Sequence, residues 1–149
     1  MKIAIGCDHG GFELKEDVKK YLEDRSIEVV DFGTHSTDSV DYPEYGEKVS
    51  VAVKDKECDL GILICGTGLG MSYVANKVPG IRCACVSDTF SAEMARAHNN
   101  ANVLAFGARV AGLGLALKLV EAFVDTPFEG GRHQRRVDLI TAVEERYTK

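Results

Sequence analysis

A glycine-rich segment at residues 65–70, CGTGLG, has the residue types best suited to chemistry in this sequence. Its alternating glycines allow consecutive backbone N–H groups to converge on an anion at the start of the following helix. The segment is not a dinucleotide fingerprint, because Met71 stands where G-x-G-x-x-G requires glycine, and it is not a P-loop, because no Gly-Lys-Ser/Thr follows. NAD and ATP are therefore disfavoured. A tight strand-to-helix turn without a ligand explains the loop equally well.

Cys65, the first residue of this segment, is the candidate base or nucleophile. It stands where a buried strand meets the glycine loop, and a helix N-terminus favours the thiolate at such a position. Cysteine is also among the most frequently buried residues, which is the better explanation for the other four: Cys7, Cys58, Cys83 and Cys85. A metal site formed by this set is disfavoured, because its C-x-C pair lies inside a strand without a matching histidine pair.

Polar residues also follow the other predicted strands. In an open parallel sheet, ligands bind beyond the carboxyl ends of the strands, so these residues are candidates for one cleft. Asp8 and His9 follow the first strand, and such a pair can orient hydroxyl groups and shuttle protons. Ser87 and Asp88 follow the fourth strand, and Arg109 follows the fifth.

Two further sets of polar residues each have a structural explanation as well as a functional one. His98 and Asn99 end a predicted helix, where a histidine is commonly a C-terminal cap that interacts with the helix dipole. Arg132, Arg135 and Arg136 form a basic patch in EGGRHQRR, with the first and last four residues apart on one helix face. Two guanidinium groups can bind one phosphate, but such a run is commonly a solvated helix start paired with glutamates.

The elements that position these residues follow from hydrophobic periodicity. Short apolar runs at 3–6, 27–32, 60–65, 81–86 and 103–106 predict five strands. Apolar residues at helical spacing lie between them, after a first-turn Pro43 in one case and a Ser87 cap in another. The alternation predicts a single α/β domain over 1–149, a Rossmann-like doubly wound parallel sheet with helices on both faces. The order of the strands stays open.

Two segments near the carboxyl terminus complete this organisation. Residues 134–147 predict a terminal helix. Segment 112–124 is apolar nearly all round, which indicates a helix with two buried faces. The second face lies either against a neighbouring element of the same chain or in a homodimer contact.

Composition excludes several classes of protein. The 149 residues are 45% hydrophobic, enough for one self-sufficient core, and 18 Lys+Arg against 23 Asp+Glu give a formal charge of −5. This charge argues against a nucleic-acid partner. Five cysteines without C-x-x-C favour a reducing compartment, so we expect a cytoplasmic protein. No run approaches ~20 apolar residues, so neither a membrane span nor a targeting segment is expected.

Taken together, the motifs resemble the ribose-5-phosphate isomerase type B family, which is related to galactose 6-phosphate isomerases. The resemblance runs from Ile3 to about Glu145 without apparent insertion. Its motifs are GCDHGGFELK, DYPEYGEKV, GILICGTGLGMSYVANKVPGIRCA, MARAHNNANVLAFGARV and EGGRHQRRV. It implies an aldose–ketose isomerase that needs no metal or cofactor, acts through an enediolate and forms a homodimer whose sites combine residues of both subunits.

The resemblance also implies a role for each candidate residue. Cys65 is the base that moves the proton between C2 and C1, since the carboxylate that some relatives use after the loop is replaced by Met71. His98, helped by Thr67, opens the furanose ring. The loop amides of Gly66, Gly68, Leu69 and Gly70 stabilise the enediolate oxygen. Asp8 and Asn99 bind sugar hydroxyls, and the phosphate is bound by His9, Arg109, Arg132 and Arg136.

Two alternatives to a pentose phosphate isomerase are kept. A hexose 6-phosphate substrate, such as allose or galactose 6-phosphate, has one carbon more than a pentose phosphate, and a sequence discriminates only weakly between substrates that differ so little. A sugar-phosphate sensor on the same fold needs the arginines and the glycine loop but no base. The presence of Cys65, Thr67 and His98 together argues against the sensor.

Overall fold

A five-stranded parallel sheet forms the centre of the computed structural model, which describes all 149 residues. The strands are β1 (Lys2–Cys7), β2 (Glu28–Asp31), β3 (Leu60–Cys65), β4 (Cys83–Cys85) and β5 (Val103–Gly107), in the spatial order β2-β1-β3-β5-β4. All neighbours pair in parallel. The predicted fold class is confirmed, and the order of the strands reverses direction between β1 and β3.

Helices cover both faces of the sheet. They are α1 (Phe12–Asp24), α2 (Tyr42–Lys54), α3 (Leu69–Ala75), α4 (Thr89–Ala97), α5 (Leu113–Asp125) and α6 (Arg132–Tyr147). One buried cluster joins one face of the sheet to α1, α4 and α5, and a second joins the other face to α2 and α3. The two faces of β3 are both covered, because its residues from Leu60 to Cys65 are buried without exception. The continuous apolar run in its sequence reflects this double burial.

The helix termini agree with the prediction at Pro43 and differ from it at two other positions. Pro43 lies in the first turn of α2, as expected. The cap of α4 is Asp88 rather than Ser87, since the Asp88 carboxylate accepts a hydrogen bond of 2.7 Å from the backbone N–H of Ser91. The terminal helix begins at Arg132, two residues earlier than predicted, because Gly131 with its positive φ ends the preceding turn.

The last two helices leave apolar surface exposed. Helix α5 buries one face in the core, but Leu113 and Leu115 on another side are exposed, so within one chain the expected second buried face is absent. Helix α6 buries only His133 and Val137 and exposes four large apolar residues: Leu139, Ile140, Val143 and Tyr147. No helix is both long and apolar enough to span a bilayer.

A buried ion pair ties α1 to the end of β2. Lys15 is fully buried, and its Nζ lies 2.9 Å from both carboxylate oxygens of Asp31 and 2.6 Å from the carbonyl oxygen of Thr34. Burial alone would raise the pKa of Asp31, but hydrogen bonds from Lys15 and from the Gly33 N–H hold that pKa below its usual range. The pair therefore anchors the loop that follows β2.

We expect Asp31→Asn to lower the free energy of unfolding by about 3 kcal/mol, because it removes the nearer carboxylate from the buried Lys15 ammonium and leaves only the partly exposed Glu16 at 3.4 Å. Urea denaturation measures the change. Since the pKa of Asp31 is lower in the folded protein, its contribution is present above about pH 4 and is lost as the pH falls. The difference between the variant and the wild type should therefore shrink on acidification.

The matched control is Asp24→Asn, which breaks the exposed Lys20–Asp24 pair on the same helix. This change should cost less than about 1 kcal/mol, because solvent screens an exposed pair. Equal losses in the two variants would contradict a structural role for the buried pair.

Candidate active site

The reversal of strand order places a crevice at the carboxyl ends of β1 and β3, the usual ligand position in an open α/β sheet. Two loops meet there: residues 8–11 after β1 and residues 65–70 after β3. The Asp8 N–H donates to the carbonyl oxygen of Ile64 at 3.3 Å, and a Cβ atom on Gly10 would lie 3.8 Å from the Gly66 nitrogen. The predicted candidates after these two strands therefore share one site.

The glycine loop packs backbone to backbone against the end of β5. A Cβ atom on Gly68, whose φ is +82°, would lie 2.8 Å from the Phe106 backbone, and one on Gly107 would lie 2.5 Å from the Cα of Thr67. No side chain fits at either contact. Close approach, as well as the turn itself, therefore requires glycine in this loop.

Cys65 occupies the floor of the loop. The backbone N–H of Gly68 donates to its sulfur at 3.1 Å, a contact that fixes the position of the sulfur in the loop. The N–H groups of Gly66, Thr67 and Gly70 donate to no acceptor within the chain. The loop thus presents a thiol beside several free donors, the arrangement that an acid–base centre next to an oxyanion needs.

The other four thiols have no such arrangement. Burial raises the pKa of Cys7 to about 12 and also raises the pKa values of Cys58, Cys83 and Cys85. These cysteines therefore stay protonated at neutral pH. Cys7 and Cys58 are buried, as expected from the sequence, whereas Cys83 and Cys85 are only half-buried. Cys85 nevertheless lies at the site, with its sulfur 3.9 Å from the Thr67 carbonyl oxygen.

Asp8 and His9 are held in fixed orientations. One carboxylate oxygen of Asp8 accepts hydrogen bonds from the N–H groups of Gly10 and Gly11 at 2.9 and 3.2 Å, which leaves the second oxygen free. His9 Nδ1 accepts a hydrogen bond from the Val40 N–H at 3.1 Å. A neutral His9 therefore carries its proton on Nε2, which can donate to a ligand.

Arg109 and Thr67 line the same loop. The exposed Arg109 lies over Gly66, where a Cβ atom would approach three of its side-chain atoms at 3.7 Å. The Thr67 hydroxyl accepts a hydrogen bond from the Leu69 N–H at 3.2 Å. Tyr42 packs on Gly70, where a Cβ atom would lie 2.6 Å from its ring. Tyr42 was not among the residues predicted for the site, because no local pattern in the sequence joins it to a loop 28 positions away.

His98 and Asn99 lie at the opposite edge of the sheet. Helix α4 runs back from the carboxyl end of β4, and the carbonyl oxygen of Asn99 accepts a hydrogen bond from Arg82, which precedes β4. The six residues of β3 separate the two edges by about 16 Å. A single chain therefore does not bring His98 and Asn99 to Cys65 and Thr67.

A compact cluster surrounds His98. Its ring stacks on the buried His133 with centroids 4.2 Å apart and planes at 10°, and Glu129 Oε1 lies 3.9 Å from His98 Nε2 and 3.5 Å from His133 Nε2. Burial, the neighbouring His98 and Arg132 lower the pKa of His133. His133 stands inside the EGGRHQRR motif, but only the fold places it against His98.

The basic patch on α6 has no carboxylate partner. Arg132, Arg135 and Arg136 are exposed, and none of them forms a salt bridge within the chain. Glu129 instead faces the two histidines, and Glu144 accepts a hydrogen bond from the Gly80 N–H. The structural alternative from the sequence, arginines neutralised by nearby glutamates, is therefore wrong, and the patch is free to bind an anion.

Residues 3–140 match the family described as Ribose/Galactose Isomerase. This chain belongs to that family. It is 53% identical to ribose-5-phosphate isomerase B of Escherichia coli strain K12 over 97% of each chain. It is also 43% identical to D-erythrulose-4-phosphate isomerase of Pectobacterium atrosepticum over 94% of this chain and 93% of that one.

Solved structures of this family have the same fold. Ribose-5-phosphate isomerase B of Clostridium thermocellum is 55% identical and superposes with a TM-score of 0.98, covering 99% of this chain and 100% of that one. The resemblance inferred from the sequence motifs is therefore confirmed at the level of the family and the fold.

We expect Gly107→Ala to destabilise the protein by about 1–3 kcal/mol. The added methyl group would meet the backbone of the glycine loop, and a backbone, unlike a side chain, cannot rotate away. Urea denaturation measures the loss. The control is Gly114→Ala in α5, where a Cβ atom meets nothing within 4 Å. That change should be neutral or stabilise the helix by up to about 1 kcal/mol. Equal unfolding midpoints for the two variants would contradict the packing argument.

Proposed function

We propose that this protein interconverts D-ribose 5-phosphate and D-ribulose 5-phosphate through an enediolate, without a metal or cofactor. The observation that carries the proposal is the Cys65 sulfur, which accepts the Gly68 N–H at 3.1 Å beside loop N–H groups that lack acceptors. The names and similarity of the relatives support the same reaction.

In the proposed reaction, the Cys65 thiolate removes the proton from C2 of the open-chain aldose. The electrons of the broken C–H bond form the C1–C2 double bond, and the carbonyl electrons move to O1 to give the enediolate. The thiol then returns the proton to C1, and the proton on the C2 hydroxyl moves to O1. The loop N–H groups without an acceptor, those of Gly66, Thr67 and Gly70, stabilise the negative oxygen, usually a large contribution to catalysis.

We infer that a second copy of the chain completes this site. In the proposal His98 opens the furanose ring with Thr67, and Asn99 binds a sugar hydroxyl with Asp8, yet about 16 Å separates these pairs within one chain. Exposed apolar residues beside the glycine loop support a homodimer: Leu69, Phe90, Val110 and Leu113. Their burial against a second copy would also cover the second apolar face of α5.

The phosphate group is assigned to cationic side chains from both edges of the sheet. His9 and Arg109 lie at the loop edge of one copy, and the unpaired Arg132 and Arg136 of the second copy approach from α6. Guanidinium groups bind phosphate through paired hydrogen bonds. Their local positive charge allows an anionic substrate to bind a protein whose net charge is −5.

The name of one relative indicates a second candidate substrate, a sugar phosphate with a shorter carbon chain. One related enzyme is named for a four-carbon sugar phosphate, so chain length varies among relatives at 43% identity. A hexose 6-phosphate is the other alternative, because one carbon changes binding by only about 1–3 kcal/mol. A comparison of kcat/KM for tetrose, pentose and hexose phosphates identifies the preferred substrate.

The decisive experiment follows ribose 5-phosphate in D₂O by NMR with EDTA-treated protein. We expect ribulose 5-phosphate to form, with deuterium incorporated at C1 to the extent that the thiol proton exchanges with solvent. Replacement of Cys65 by Ala should lower kcat about 10²–10⁴-fold, the usual contribution of a positioned base, while phosphorylated sugar still binds. Cys58→Ala, which removes a buried thiol outside the site, should leave kcat unchanged. Full activity of Cys65→Ala would overturn the assignment of the base.

The phosphate assignment predicts a change in KM. Arg136→Ala should raise KM about 10- to 100-fold, equivalent to the 1.5–3 kcal/mol that a charge-assisted hydrogen bond contributes. The neighbouring Arg135→Ala removes the same charge from another side of α6 and should change KM less than about twofold, since α6 residues one apart do not share a face. Steady-state kinetics measures KM for both variants. Equal increases in KM would contradict a specific contact between Arg136 and the phosphate and would indicate a general electrostatic effect of the patch.

A further inference from the structure

The cluster of His98, Glu129 and His133 has the donor set of a transition-metal site. Two imidazole nitrogens and one carboxylate oxygen lie within 4.8 Å of one another. Imidazole suits Zn²⁺, Co²⁺ and Ni²⁺, whereas Mg²⁺ and Ca²⁺ prefer oxygen ligands throughout. A tetrahedral Zn²⁺ ion with bonds of about 2.1 Å holds its ligand atoms about 3.4 Å apart. The observed separations of 3.5 and 3.9 Å from Glu129 to the two histidines are close to that value.

The backbone already holds the three residues in place. The Glu129 N–H donates to the Ala97 carbonyl oxygen at 3.0 Å, which joins the start of the EGGRH turn to the end of α4. Glu129 and His133 are four residues apart, and the His133 N–H donates to the Gly130 carbonyl oxygen at 3.0 Å. Metal binding therefore does not have to order a flexible loop.

The side chains differ in their freedom to adjust. His133 is only 8% exposed and is fixed by packing, whereas 40% of the His98 side chain and 56% of the Glu129 side chain are exposed. The two rings are stacked nearly parallel, and each nitrogen lone pair lies in the plane of its own ring, so His98 must turn before both nitrogens can bind one ion. Its exposure allows this rotation. The neighbouring Arg132 and Arg136 charges oppose a cation, which limits the affinity.

We propose that His98, Glu129 and His133 form an inhibitory site for a divalent transition-metal ion, best matched by Zn²⁺. The inhibitory part rests on the proposed isomerase function, in which His98 moves the proton of ring opening. A metal bound through His98 Nε2 occupies the lone pair that this step requires. The ion is thus a reversible inhibitor and takes no part in the reaction.

Cobalt titration of the EDTA-treated, desalted protein tests the site directly. We expect one Co²⁺ per chain with visible d–d bands, displaced by Zn²⁺, and no sulfur-to-cobalt charge-transfer band in the near ultraviolet. Glu129→Gln and His133→Gln should each weaken binding at least tenfold, since even the partners of metal ligands contribute about 10–100-fold. A charge-transfer band would instead assign the ion to cysteines, and unaltered binding in both variants would overturn the site.

Matched controls separate the site from general charge effects. Glu145→Gln removes an exposed carboxylate from α6, the helix that holds His133, and His35→Gln removes an exposed histidine elsewhere. Neither should change cobalt binding. Circular dichroism of each variant confirms that it folds, and the absence of binding to the folded wild type at millimolar Co²⁺ would also overturn the proposal.

Inhibition is measured separately with Glu129→Gln, and the Zn²⁺ response of each protein is expressed relative to its own metal-free turnover. We expect Zn²⁺ to inhibit the wild type reversibly, and the variant to need at least tenfold more Zn²⁺ for the same inhibition. Equal sensitivity would assign inhibition to another site, such as Cys65. Because the cobalt spectra do not require turnover, a protein without isomerase activity would disprove the proposed function and still leave the metal site decided by its own measurement.

Discussion

The close backbone contact between the glycine loop after β3 and the end of β5 is the constraint on which the candidate active site depends. A Cβ atom at Gly107 would come within 2.5 Å of the neighbouring backbone, so the two segments approach as closely as glycine permits. This contact turns the chain sharply after Cys65 and directs the Gly68 N–H at its sulfur. The same turn leaves other loop N–H groups without acceptors and open to an anion.

A second set of contacts orients the cationic side of the site. The buried Lys15–Asp31 pair holds the loop after β2 through the Gly33 N–H and the Thr34 carbonyl oxygen. The chain continues from there to Val40, whose N–H fixes the tautomer of His9. An ion pair that belongs to the core therefore helps to orient a group at the surface. Such pairing is typical of sites whose side chains must be positioned before the ligand arrives.

The polarity of a parallel sheet divides the remaining functional groups. Every strand ends at the edge that holds Cys65, and every connecting helix returns to the other edge, where His98 lies. A site that needs both groups is consequently incomplete in one chain, and the exposed apolar residues of the loop edge and of α5 offer a surface for a second copy. The separation also places His98 next to His133 and Glu129, which together form a cluster of two imidazoles and one carboxylate.

Local patterns in the sequence determined the fold class, the run of β3, the glycine loop and the candidates Cys65, Asp8 and His9, because strands, turns and strand ends depend on nearby residues. The strand order, the packing of Tyr42 on Gly70 and the stacking of His98 on His133 were decided only by tertiary structure. These contacts join residues far apart in the chain. Their free energy comes from burial and close packing, which no local periodicity records.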